Sequence, residues 1–111
     1  MTNYRKWDIY LARVLLFLRK TYEDVIGSKI RPVLVLQNGN MITIECLKMT
    51  GQSPRAGEYT LQEWSKAGLN KPTVVRIGKR LHLNTSEIIK RIGRLDLADI
   101  VALEQILDNS L

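Results

Sequence analysis

One cysteine and one histidine are all that these 111 residues contain of the two types that most often build metal sites and nucleophilic centres. Cys46 has no second thiol to bridge to, which excludes a disulfide framework. Its place inside the apolar run Ile42 to Leu47 marks it as a buried, inert thiol. No zinc set can form, and no His/Cys/Asp/Glu cluster has metal-ligand spacing, so no metal or other cofactor is expected. His82 alone cannot supply the acid–base pair of a two-histidine ribonuclease. Leu81-His82-Leu83 reads as strand, with the imidazole structural or on the surface. No apolar run approaches about 20 residues, the length a membrane-spanning helix needs. The start, with Arg5, Lys6, Trp7 and Asp8, has no apolar signal-peptide region, so a soluble cytoplasmic protein is expected.

What is present describes one globular domain, residues 1–111, with 45% hydrophobic and 25% charged residues and length for a single core. The net charge of +6 is unevenly placed. Residues 1–80 carry 14 Lys/Arg against 6 Asp/Glu, and residues 81–111 carry 3 against 5. A basic body with a mildly acidic end suits a polyanion partner on one surface.

The chain is organised around Arg31-Pro32-Val33-Leu34-Val35-Leu36. Its unbroken apolar run reads as a strand buried on both faces. Pro32 forces Arg31 into an extended conformation, which gives the guanidinium a fixed aim. Arg31 is then either a strand cap paired with a carboxylate or a functional cation. Before it, residues 7–17 are a strand candidate, and Arg19 to Lys29 reads as a polar loop long enough to be a flap. After it, Asn38-Gly39-Asn40 signals a hairpin turn, and Met41 to Thr50 returns with period-two alternation. Arg31 begins one strand and Thr50 ends the next, so antiparallel pairing makes them neighbours.

Gly51 to Tyr59 reads as loop, with Arg55 exposed. Thr60-Leu61-Gln62-Glu63 fits a capping box opening a short helix that Gly68 and Pro72 end. Strands follow at Thr73–Ile77, Arg80–Leu83 and Ile88–Leu95, the last after a turn at residues 84–87. Asp96 caps a terminal helix whose Leu97, Ile100, Val101, Leu103 and Leu107 cluster on one broad face. The sum is a mainly β protein with helical additions: a small, curled, mostly antiparallel barrel closed by a C-terminal helix.

Four pieces in order resemble the MazF/PemK family of toxin endoribonucleases from bacterial type II toxin–antitoxin systems. They are Trp7-Asp8-Ile9-Tyr10, Arg31-Pro32-Val33-Leu34-Val35, Met49-Thr50, and Arg91-Ile92-Gly93-Arg94-Leu95. The segment from Trp64 through Ala67-Gly68-Leu69-Asn70-Lys71-Pro72 to Arg76 is similar to that of one branch. The chain departs from the common pattern with Trp7 where Gly-Asp-Ile is usual and Gly51 where a serine often follows the threonine. Residues 17–29 do not match cleanly. The resemblance implies an SH3-like barrel, a homodimer, a small acidic antitoxin, and metal-independent cleavage of single-stranded RNA (mRNA in the cell). It also implies that Arg31 and Thr50 are the catalytic pair.

These residue types suit that chemistry. RNA carries its own nucleophile, the 2′-hydroxyl, so the enzyme supplies geometry, proton transfer and charge stabilisation. The products are a 2′,3′-cyclic phosphate and a 5′-hydroxyl. Arg31 can fork onto the phosphate oxygens, and Thr50 can donate to one of them or orient Arg31. Glu23 or Asp24 is a candidate general base, the alternative being solvated loop charges. Lys29, Arg76, Lys79 and Arg80 are candidates for tracking the RNA backbone or for a solvated face. Trp64 reads as packing its helix onto the barrel rather than stacking a base. Two rivals remain on this fold: a toxin that binds and poisons DNA gyrase without catalysis, and an inactive interaction module.

Overall fold

The computed structural model describes residues 4–20, 23–40, 43–50 and 58–109, the side chains of 15–20, 23–29, 38–40, 43–48, 50, 78–79 and 109 excepted. The strands are β1 (Asp8–Lys20), β2 (Glu23–Asn40), β3 (Thr43–Thr50), β4 (Glu58–Thr60), β5 (Val74–Asn84) and β6 (Ile88–Arg94). A 3₁₀ turn, Thr85–Glu87, joins β5 to β6, and helix α1 spans Leu97–Asn109. All six strands form one antiparallel sheet in the order β4-β5-β3-β2-β1-β6. The mainly β architecture with a closing C-terminal helix is the one expected, as a curled sheet whose hydrogen-bonded edges are β4 and β6. Among the described residues no helix is long and apolar enough to cross a membrane.

The central strand is buried on both faces, as its apolar run requires. Leu34 and Leu36 enter one core with Trp7, Ile9, Met49, Leu61, Val75 and Leu103. Val33 and Val35 enter the other with Tyr10, Ala12, Val14 and Leu83. Period-two alternation thus splits β2 between two clusters.

Several local signals are overridden. Residues 19–20 and 23–29 are strand rather than loop: β1 and β2 stay in register from Ile9↔Leu34 to Lys20↔Glu23, and residues 21–22 lie outside the described ones. The ladder supplies backbone partners to a stretch whose polar side chains give no alternation to read. Asn38-Gly39-Asn40 is strand, and the last β2–β3 pair is Asn40↔Thr43. The register shift at Asn38/Asn40 absorbs the glycine as a bulge does, and a second shift, at Val35/Gln37, falls at Leu36. The two strands expected at 73–77 and 80–83 are one, β5, whose pairing jumps from Lys48↔Arg76 to Leu47↔Arg80. Strand β4 begins at Glu58 inside the segment read as loop; Arg55 and the rest of 51–57 lie outside the described residues.

Residues 61–69 form turns rather than the capped helix expected from Thr60 and Glu63. The amides of Gln62 and Glu63 are instead taken by the Asp99 carboxylate of α1, at 2.9 and 3.0 Å. Tyr59 Oη donates to the same carboxylate at 2.6 Å. Asp99 is fully buried and binds the turn to the helix. Burial, then this hydrogen bond, pushes the Tyr59 hydroxyl well above the usual tyrosine range. The other side of the turn lies on β6, where a Cβ at Gly93 would stand 2.0 Å from the Ala67 carbonyl oxygen. Gly68, at φ +94, would bring one 2.8 Å from the Ile92 carbonyl oxygen. The turn after β4 is therefore seated directly on β6, packing together the two edges that no ladder joins.

Asp96 caps α1 as expected, its carboxylate accepting from the Ala98 amide at 3.2 Å. Leu103 is buried, and Ile100 and Leu107 pack against the core. Leu97 and Val101 do not join that face; they are 70% and 48% exposed. Trp64 packs against the core cluster, and His82 is exposed on β5. The side chain of Cys46 lies outside those described.

Candidate active site

The β2–β3 ladder stops at Val33↔Lys48. The next residue back along β2 is Pro32, which has no amide hydrogen to continue it. Continuing the register two residues would set Arg31 opposite Thr50. The described ladder does not extend there, and a cavity of about 650 Å³ occupies this end of the sheet. Ile30, Arg31 and Pro32 line it from β2 and Met49 from β3. Leu69, Asn70, Lys71 and Thr73 line it from the seated turn, and Lys90, Arg91 and Ile92 from β6. Pro32 thus both extends Arg31 and marks where the cleft begins.

Arg31 is half-buried, and its Nε is buried with no hydrogen-bond partner among the described residues. Among the described residues no carboxylate pairs with it. A buried guanidinium N–H without an acceptor is costly, on the order of 1–3 kcal/mol. The Nε of Arg76, which does not line the cleft and stands 3.6 Å from Glu58 Oε1, is in the same condition. Thr50 is the last residue of β3, paired with Val74 of β5; its side chain is outside those described.

Asp8 organises the opposite wall. It is 3% exposed, and its two oxygens accept from Arg91 Nε at 3.2 Å and Arg94 Nη1 at 3.0 Å. Arg94 Nη1 also donates to the Lys6 carbonyl at 2.8 Å. The motif at Trp7-Asp8 and the motif at Arg91–Arg94 are therefore one ion-paired unit, and Arg91 reaches the cleft from it. Trp7 takes φ 76, in the left-handed region where glycine is at ease. That strain, about 1–3 kcal/mol for a non-glycine residue, is offset by burying the indole. Its backbone is fixed on both sides, donating to Val35 O at 2.9 Å and accepting from Leu95 N at 3.0 Å.

Among the described residues that line it, the cleft has four cations, Arg31, Lys71, Lys90 and Arg91, and no carboxylate. The other cations singled out from sequence fall elsewhere or outside the described side chains. Arg76 is half-buried, directly across from Glu58 and paired with it at 3.6 Å. Arg80 is exposed on β5; neither it nor Arg76 lines the cleft. The side chains of Glu23, Asp24, Lys29 and Lys79 are outside those described; Glu23 and Asp24 belong to the far end of the long hairpin, paired with Lys20 and Arg19. Sequence reasoning missed Lys71 and Lys90, although Lys71-Pro72 repeats the cation-before-proline signal of Arg31-Pro32.

Fold and chain match known proteins. Against solved structures, the Mycobacterium tuberculosis toxin MazF-mt6 superposes with a TM-score of 0.68 at 21% identity, over 92% of this chain and 93% of that one. A crystal structure of an Mtb toxin gives 0.62 at 23% identity, over 73% and 92%. No curated protein sequence matches. The family model described as "PemK-like, MazF-like toxin of type II toxin-antitoxin system" matches residues 5–111. Nearly the whole chain fits that model, and the protein belongs to the PemK-like, MazF-like toxin family of type II toxin–antitoxin systems.

Proposed function

We propose that this toxin is a sequence-specific endoribonuclease that cuts single-stranded RNA without a metal ion. The observation that carries this reading is the cleft: Arg31 lines it together with Lys71, Lys90 and Arg91, and no described lining residue is a carboxylate. The ribose 2′-oxygen attacks the adjacent phosphorus, the bond to the 5′-oxygen breaks, and that oxygen leaves as a hydroxyl. The phosphorane formed on the way carries about two negative charges, which Arg31 meets bidentately. Thr50, at the neighbouring strand end, donates its hydroxyl to a phosphate oxygen. Glu23 and Asp24, candidates for the general base from sequence, lie eight and seven residues along β2 from Arg31. That is roughly 23–26 Å at ordinary strand rise, so the 2′-hydroxyl proton passes to water in the cleft rather than to either of them. Arg80, exposed on β5, extends the basic surface along the strand of RNA together with Lys29 and Lys79, whereas Arg76, half-buried against Glu58, does not.

Purified protein should therefore cleave RNA in excess chelator and leave 2′,3′-cyclic phosphate ends. A 2′-deoxy substitution at the nucleotide 5′ to the cut should stop the reaction. Loss of cleavage on chelation, or cleavage of the deoxy substrate, contradicts the mechanism. No RNA cleavage at all, with inhibition of gyrase, favours the non-catalytic rival.

The reading includes a homodimer and a small acidic antitoxin, whose largely disordered segment binds the basic face and folds on it. The exposed Leu97 and Val101, one turn apart on α1, support self-association. Sedimentation at micromolar concentration giving only a 12.7 kDa species would contradict the dimer.

A further inference from the structure

Charge counting separates the cleft's cations. Arg91 is compensated in part, since it shares the buried Asp8 carboxylate with Arg94. Arg31, Lys71 and Lys90 have no carboxylate partner among the described residues. A single phosphodiester carries one negative charge, which Arg31 balances, and its phosphorane about two, one more than Arg31 carries. Two further uncompensated lysines in the same cavity exceed what one phosphate balances, and match a neighbouring one.

The two lysines are also placed with care. Pro72 holds Lys71 extended, as Pro32 holds Arg31. Thr73 Oγ1 donates to the Lys71 carbonyl at 3.0 Å, and the Thr73 carbonyl accepts from Leu61 N at 3.0 Å. The segment carrying Lys71 is seated on β6 through Gly68 and Gly93. Lys90 lies on β6 itself, opposite Leu11 of β1, which is opposite Pro32. Lys90 is thus two strands from the Arg31 wall, roughly 10 Å of backbone at ordinary strand spacing. Both lysines stand on fixed backbone and line the cleft that Arg31 also lines.

We propose that Lys71 and Lys90 form a second phosphate subsite, which holds the phosphate next to the scissile one while Arg31 holds the scissile one. This rests on the endoribonuclease reading and extends it from one phosphate to two. The subsite binds backbone, so it serves every sequence equally and sets affinity rather than base choice.

The test measures binding separately from cleavage. Lys71→Met, Lys90→Met and the double variant keep the apolar stem and remove the charge. The probe is a single-stranded, fully 2′-O-methylated RNA of mixed sequence, which has no nucleophile and cannot be cut. The slope of log binding constant against log salt should fall by about 0.7 for each lysine removed and about 1.4 for both. Lys71→Arg and Lys90→Arg should restore it. An unchanged slope in the double variant overturns the subsite, and so does an affinity loss that is equal at all salt concentrations. Either result leaves cleavage by the unaltered protein untouched. Conversely, a protein that shows the expected slopes yet never cuts unmodified RNA retains the subsite and loses the nuclease reading. If binding of polyglutamate, and not of RNA, follows the two lysines, they serve an acidic peptide and the proposal is overturned.

Discussion

Arg31→Ala should lower the rate of RNA cleavage on the order of a hundred- to a thousand-fold while leaving the protein folded. The loss corresponds to roughly 3–4 kcal/mol of transition-state stabilisation, the usual cost of removing a pre-aimed donor from a developing oxyanion. Folding should barely notice. The Nε of Arg31 has no partner to lose among the described residues, so its removal relieves an unsatisfied donor. The packing of its aliphatic stem is lost at the same time, and the two effects oppose. Pro32 remains to end the β2–β3 ladder, so the cleft should persist. Thr50→Ala should cost less, about tenfold, because a neutral hydroxyl contributes less than a forked cation. If both act on one phosphate, the double variant should lose less activation free energy than the two single losses added together. Single-turnover cleavage alongside thermal unfolding separates the cases. An Arg31→Ala protein that unfolds, yet cleaves normally per folded molecule, would make Arg31 a structural residue.

The parts of this fold legible in the sequence were those dictated by burial. Val33 to Leu36 could only be a strand packed on both faces, and it divides between two cores. Asp96 could be read as a cap because its acceptor and the amide it satisfies are two residues apart. Signals failed where a distant partner outcompeted a local one. Asn38-Gly39 is a strong turn signal, but the β2–β3 ladder passes through it with bulges. Thr60 and Glu63 form a capping-box pattern, but the acceptor for those amides is Asp99, more than thirty residues on. An aspartate in the first turn of a helix also suits the helix dipole, so nothing local shows that Asp99 serves another element.

The candidate site divides in the same way. Arg31 stands out because Pro32 is its neighbour in sequence, and antiparallel pairing of β2 with β3 sets Thr50 as its expected neighbour, although the described ladder ends at Val33↔Lys48, short of that pair. The pairing of Asp8 with Arg91 and Arg94 spans more than eighty residues and depends on β1 lying next to β6. Which lysines face the cleft depends on the seating of the 61–70 turn, a contact between backbones at Ala67 and Gly93. Side-chain patterns carry no trace of such a contact beyond the glycines themselves.

Asp99→Ala should therefore damage both stability and the cleft, and do so from outside it. The substitution leaves two amides and the Tyr59 hydroxyl without the carboxylate they now share. Deserting buried donors that served a charged acceptor costs roughly 3–5 kcal/mol in all, a large share of a small domain's stability. Asp99→Asn should lose less, since one amide oxygen still accepts while its NH₂ opposes a donor. Tyr59→Phe removes one hydrogen bond and should cost about 1 kcal/mol or somewhat more. It also has a pH signature. The folded protein holds the Tyr59 hydroxyl protonated above the unfolded value of about 10. That contribution is fully present below pH 10 and declines above it, because the unfolded chain ionises first. Wild type and Tyr59→Phe should therefore converge in stability as the pH rises beyond 10, by chemical denaturation at each pH. Because the turn that Asp99 secures also carries Lys71, loosening it should weaken RNA binding before the protein unfolds. Binding of the 2′-O-methylated RNA by Asp99→Asn, measured well below its unfolding temperature, reads this directly. Unchanged affinity in a measurably destabilised Asp99→Asn protein would show that the turn keeps its seat on β6 without the carboxylate.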